Sequence, residues 1–291
     1  MADDNGYILM AMDWRGMSRS DLPVVIKTLI GNPNLFQSVR DNLIQGYSDK
    51  FALQHFSRNG MLNWLKIDGA SIPTKNNVQP TSMFYGISQG GILGGGYLAL
   101  SASTALIDRG VLGSPGTPFT AVLTRSLDFV KYDTVMLFNF YNNRHVRLIL
   151  SLLQMGWDSV ESSGLLAPPV YDSLPPILLQ TGLGDPIVPT SACEGMARAM
   201  NASTLPNNPR SVFRVPVAQA ANQPNAILTE LMYEKEYNSL PLDNTLPKKN
   251  RVHFCVRWDH AMIDQIVEFA NTGKIIDPCV DDQCRRQFAH C

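Results

Sequence analysis

Gly86-Ile87-Ser88-Gln89-Gly90 is a complete G-x-S-x-G pentapeptide. Where such a serine stands on a sharp strand-to-helix turn, its hydroxyl is presented as a nucleophile, and glycines two positions to either side let neighbouring elements approach. A hydroxyl is a weak nucleophile at neutral pH. The chemistry therefore needs an imidazole to take the proton and a carboxylate to orient that imidazole. In this motif class the acid follows the serine and the base follows the acid. Asp185 is the acid candidate, because the apolar run Pro176–Gln180 leads into Gly184-Asp185-Pro186 and Pro186 restricts the backbone of Asp185 to extended conformations. A simple cap of that turn is the alternative role for Asp185. His260 is the base candidate: it follows the apolar run Arg251–Val256 in a loop and stands immediately before a helical pattern at Ala261. His55 and His145 precede Asp185, His253 falls inside the run expected to be a strand, and His290 is in the tail. Asp259, beside His260, ranks behind Asp185 because adjacent side chains point apart. The backbone N–H of Gln89 is the expected oxyanion donor.

The next glycines compete for a different meaning. Gly91, Gly94, Gly95 and Gly96 each cost a helix about 1 kcal/mol relative to alanine, which close packing of that helix on a sheet would offset. A phosphate-cradling loop is the rival explanation, but no G-x-x-x-x-G-K-[ST] occurs and no lysine follows. Paired carboxylates for glycoside chemistry find no support beyond abundance, and no H-E-x-x-H appears. Neither a metal nor a cofactor is expected.

Those residues need elements to hold them. Tyr7–Met12 reads as a buried strand, as do the run ending at Met83-Phe84-Tyr85, Phe119–Leu123, Pro175–Gln180 and Arg251–Val256. Helical spacing marks Leu22–Ile30, Phe36–Gly46, Gln89–Leu106 and Ala261–Ala270, the last with Gly273 as its C′ residue. The alternation predicts an α/β domain spanning 1–291, with a mostly parallel sheet flanked by helices. A helical insert over about 128–171 interrupts it, equally a lid over a substrate or helices packed on the core. The stretches Asn201–Pro216 and Gln219–Asn250 are rich in Pro, Asn and Ser and predict surface excursions, with a short helix over Ile227–Tyr233.

These motifs resemble the α/β-hydrolase superfamily: Gly86–Gly90 as the nucleophile elbow, Gly184–Pro189 as the acid turn and Asp259-His260 as the histidine loop. Tyr7–Gly16 is similar to the fourth strand of that fold and the aromatic-Arg-Gly loop after it, so the resemblance implies a sheet lacking its first three strands. It further implies a serine hydrolase acting on a carboxylic ester, without a cofactor, through an acyl-enzyme. The family's second oxyanion donor comes from the loop after the third strand, and no H-G-G-G-like loop is visible here. Either Tyr7–Met12 pairs directly with the strand before Ser88, or a partner chain, a second copy included, fills the gap. The alternative to an active esterase is a weak or inactive hydrolase-fold subunit completed by such a partner.

Bulk properties bound these readings. With 291 residues, 45% apolar and 17% charged, the chain can bury a sizeable core. A formal net charge of −1 and the lack of any Lys/Arg run exclude a nucleic-acid footprint and mark no anionic membrane surface. No apolar stretch approaches the roughly 20 residues of a membrane span. The acidic start Met1–Gly6 has the wrong charge order for an export signal, so the compartment stays open. Three of the five cysteines, Cys279, Cys284 and Cys291, crowd into the tail at 274–291, where a local disulfide would staple a segment poor in apolar anchors. Asn201-Ala202-Ser203 is a glycosylation sequon of the kind expected by chance.

Overall fold

A computed structural model of the chain describes residues 5–29, 32–61, 81–166, 173–219, 225–234, 248–280 and 284–288. Two helices come first, α1 (Leu22–Leu29) and α2 (Phe36–Asn59); α2 buries Phe36, Val39, Leu43 and Tyr47, the spacing of one helical face. Strand β1 (Met83–Ile87) runs into α3 (Gln89–Ser101), and β2 (Arg109–Gly113) follows. Helices α4 (Phe119–Leu123), α5 (Val130–Phe140), α6 (Asn143–Trp157) and α7 (Ser162–Leu165) lie between β2 and β3 (Ile177–Gly182). After α8 (Thr190–Ala199) come β4 (Ser203–Thr204), β5 (Ala226–Glu234), α9 (Val252–Trp258), α10 (His260–Thr272) and β6 (Arg285–Gln287).

The strands form one sheet in the order β1-β2-β3-β5-β4, with β6 paired to the far end of β5, and all these pairings are parallel. All six residues of β3 are buried, as expected for a parallel strand covered on both faces. Alternation of side chains sorts the two faces. Leu112, Leu179 and Leu228 pack with Leu93 of α3 and Met196 of α8, whereas Val111, Leu178 and Ile227 pack with Ile266 and Phe269 of α10. The glycines of α3 serve this layering. A Cβ on Gly91 would stand 2.7 Å from the Gly113 carbonyl oxygen, and one on Gly96 would stand 2.6 Å from the Tyr47 hydroxyl. Helix α3 thus lies tight against the sheet on one side and α2 on the other, and that burial offsets its poor helix propensity.

Several elements differ from the sequence expectation. Tyr7–Met12 forms no strand; Ile8 and Leu9 are exposed, and β1 is the terminal strand of the sheet among the described residues. Phe119–Leu123 is a helix, following Pro118, and the short glycine-flanked β2 takes the place beside β1 instead. Ile227–Tyr233 belongs to a central strand, β5, and Arg251–Val256 is largely the helix α9. Helix α10 ends as predicted, with Gly273 at φ 78° and its N–H bonded to the Phe269 carbonyl. Cys279 and Cys284 form a disulfide, while Cys291 and His290 lie outside the described residues. Among the described residues no helix is long and apolar enough to cross a membrane.

Candidate active site

Ser88 joins β1 to α3 with φ 56° and ψ −123°, a conformation that L-residues rarely adopt. Such strain costs on the order of 1–3 kcal/mol and persists only where the surroundings hold it. Here the Ser88 N–H donates to the Gly113 carbonyl (2.8 Å), and the Ser88 carbonyl accepts from the N–H groups of Gly91 (2.8 Å) and Ile92 (2.9 Å). The two motif glycines are not equivalent. A Cβ on Gly86 would collide with the backbone carbonyl of Gly90, whereas the nearest atom to a Cβ on Gly90 is Trp14 Nε1, at 4.0 Å.

The end of β3 supplies a carboxylate. Gly184 turns the chain at φ 78°, and the next residue, Asp185, is buried. Its Oδ1 accepts from the N–H groups of Ile187 (2.8 Å) and Val188 (2.9 Å), which leaves Oδ2 to take a bond from elsewhere. That bond comes from His253. Nδ1 of His253 lies 2.7 Å from Asp185 Oδ2, and Nε2 lies 2.9 Å from Ser88 Oγ. Since a carboxylate only accepts, Nδ1 carries the proton, and Nε2 is left to accept from the serine hydroxyl.

The structure therefore brings together Ser88 and Asp185, as the sequence order suggests, but joins them through His253 rather than His260. His253 is the second residue of α9 and is buried, whereas His260 is the exposed first residue of α10. The reason is the helical twist of 252–258. Val252, Cys255 and Val256 turn into the core, with Val256 packed against the end of β3 at Gly182, and the first turn of the helix aims His253 at the sheet's carboxyl end. Asp259, the rival acid, is also buried but faces away from this histidine: it accepts from Tyr233 Oη (3.1 Å), from Arg286 Nε (3.1 Å) and Nη2 (2.9 Å), and caps α10 through Ala261 N–H (3.0 Å). Burial, reinforced by the Asp259 charge, raises the Tyr233 phenol far above its usual range, so it stays a neutral donor.

Side chains fasten α9 at both ends. At its start, Asn250 Nδ2 donates to the Gly184 carbonyl (2.9 Å) and Asn250 Oδ1 accepts from Val252 N–H (2.9 Å), so a single amide spans the acid turn and the histidine helix. At its end stands the Asp259–Arg286 pair just described, and within it Cys255 is disulfide-bonded. Sequence reasoning missed both His253 and Asn250. The usable signal was the i, i+3, i+4 spacing of Val252, Cys255 and Val256.

Gln89 opens α3, where a backbone N–H has no intrahelical acceptor, as an oxyanion donor must. Its side chain ties the turn to the loop before α1, with Nε2 donating to the Met17 carbonyl (3.2 Å). Trp14 in that loop stands edge-on to Tyr47 and beneath the Lys50 ammonium, and its Nε1–H engages no hydrogen bond among the described residues. The sequence matches no protein-family model and no curated protein.

Proposed function

We propose that the chain is a serine hydrolase that cleaves a carboxylic ester, a small-molecule or acyl ester, through an acyl-enzyme. The observation that carries this reading is the continuous hydrogen-bonded path from Ser88 Oγ through His253 to Asp185 Oδ2. In the first step His253 Nε2 takes the Ser88 proton as Oγ attacks the ester carbonyl, and Asp185 stabilises the imidazolium at Nδ1. The same proton then goes to the leaving alkoxide as the C–O bond breaks. Water, deprotonated by His253, releases the acid and restores Ser88. Negative charge on the carbonyl oxygen would be met by the Gln89 N–H, with Trp14 Nε1–H, unpartnered among the described residues and 4.0 Å from where a Cβ on Gly90 would stand, as the candidate second donor.

Incubation with p-nitrophenyl esters of increasing chain length tests the reading. Hydrolysis is expected in the wild type, with an acyl adduct on the Ser88 peptide by mass spectrometry, and none in Ser88→Ala. Equal hydrolysis by both proteins would sink it.

A second reading, a hydrolase-like subunit without turnover, draws on the terminal position of β1. An unreactive Ser88 together with a stable companion chain in native mass spectrometry would favour it.

A further inference from the structure

Helix α6 is apolar on two faces. Val146, Leu150, Leu153 and Trp157 turn inward and are buried, while Leu148, Leu152 and Met155, also spaced by four and three residues, form an outer stripe that is 57%, 55% and 73% exposed. Phe138, in the last turn of α5, is 86% exposed, and Tyr141, at the turn that joins α5 to α6, is 88% exposed. That turn is firmly built. Tyr141 ends α5 in the left-handed conformation, Asn142 Oδ1 caps α6 by accepting from His145 N–H (3.0 Å), and His145 Nδ1 donates to the Phe140 carbonyl (2.9 Å). Holding a tyrosine at φ 67° costs energy, yet nothing in the described structure covers its ring. Arg144 and Arg147 follow on the first turns of α6, exposed and without an ion pair among the described residues.

We infer that the α5–α6 hairpin is a docking surface for an anionic lipid membrane. Phe138, Tyr141 and the α6 stripe enter the headgroup boundary, and Arg144 and Arg147 meet lipid phosphates. Aromatic rings at a projecting tip, aliphatic side chains along one helical face and arginines at its edge are the composition that suits a layer apolar below and negative above. Of the neighbouring charges, Lys131 is exposed, and Asp133, the one acidic side chain between 130 and 157, lines a cavity together with Arg147. The surface lies outside the Ser88 site, so docking needs no turnover and stands or falls independently of the proposed hydrolysis.

Co-sedimentation of the full chain with vesicles of phosphatidylcholine, with and without phosphatidylglycerol, tests the inference. Binding is expected on the anionic vesicles, weaker on the neutral ones and reduced by added salt. Phe138→Ser/Tyr141→Ser/Met155→Ser should lose more than about tenfold in partitioning to both vesicle types. Arg144→Glu/Arg147→Glu should lose the preference for phosphatidylglycerol alone. All five positions are exposed, and an unchanged circular dichroism melt will show that both variants fold. Absence of wild-type binding, or equal binding by wild type and triple variant, would overturn the inference. So would a wild-type dimer that the triple variant converts to monomer without any vesicle binding, because a second copy would then be the occupant of this face.

Discussion

The candidate nucleophile and the candidate base are held by different means. Ser88 is positioned almost wholly by backbone: a strand, a helix, a bond from its N–H to Gly113 and a carbonyl approach that only glycine at position 86 permits. His253 sits on a helix of seven residues, and what fixes that helix is side chains from elsewhere, with Asn250 reaching the acid turn and Asp259 clamped by Tyr233 and Arg286. A nucleophile turn built from local backbone is written in five consecutive residues. A histidine position built from tertiary contacts is written across roughly the last sixty.

Substitutions can break this contrast. The largest effect is expected for Gly86→Ala, whose new methyl group meets backbone that cannot yield, and which should destabilise the fold by about 3 kcal/mol in urea unfolding. Gly90→Ala has open space and should hold stability, or gain up to about 1 kcal/mol from helix propensity. Equal losses at the two glycines would refute the account of the elbow. On the base side, Asn250→Ala removes three bonds from a buried amide and leaves the Val252 N–H unpartnered, at a cost of about 2 kcal/mol. It should also lower ester turnover more than Gly90→Ala does, because it frees the histidine helix from the acid turn.

A further effect is expected in alkali. Folding raises the Tyr233 phenol above its ordinary value of 10.0, so above pH 10 the unfolded chain releases a proton that the folded chain keeps. Stability contributed by the neutral phenol is complete below pH 10 and is lost as pH rises. The wild type should lose up to about 1.4 kcal/mol more per pH unit than Tyr233→Phe over that range. Parallel pH curves for the two proteins would show that the phenol does not bear on the clamp.

The same contrast explains what was legible in the sequence. The strand before Ser88, the acid turn at Asp185 and the helix closed by Gly273 each carry their signal within a few residues, and each stands where the sequence predicts. Strand β5 was hidden because Ile227, Leu228, Leu231 and Met232 have helical spacing, while Thr229 and Glu230 look like a solvent face. In the fold these two polar side chains are buried, and Gln265 and Arg210 satisfy them from 20 or more residues away. Helix α9 was hidden in the opposite way: valines and an aromatic read as a strand, although the face formed by Val252, Cys255 and Val256 is helical. That reading pointed to His260, whereas the histidine that meets both Ser88 and Asp185 is His253. Tyr7–Met12 has the composition of a buried strand, but among the described residues no neighbouring strand receives it.

The most direct test is the rate at which a fluorophosphonate labels Ser88 in two single variants. His253→Ala should slow labelling by about 1,000-fold or more, since the serine loses its proton acceptor, while His260→Ala should stay within about twofold of the wild type. Rapid labelling of His253→Ala, or a collapse confined to His260→Ala, would contradict the assignment of His253 as the base.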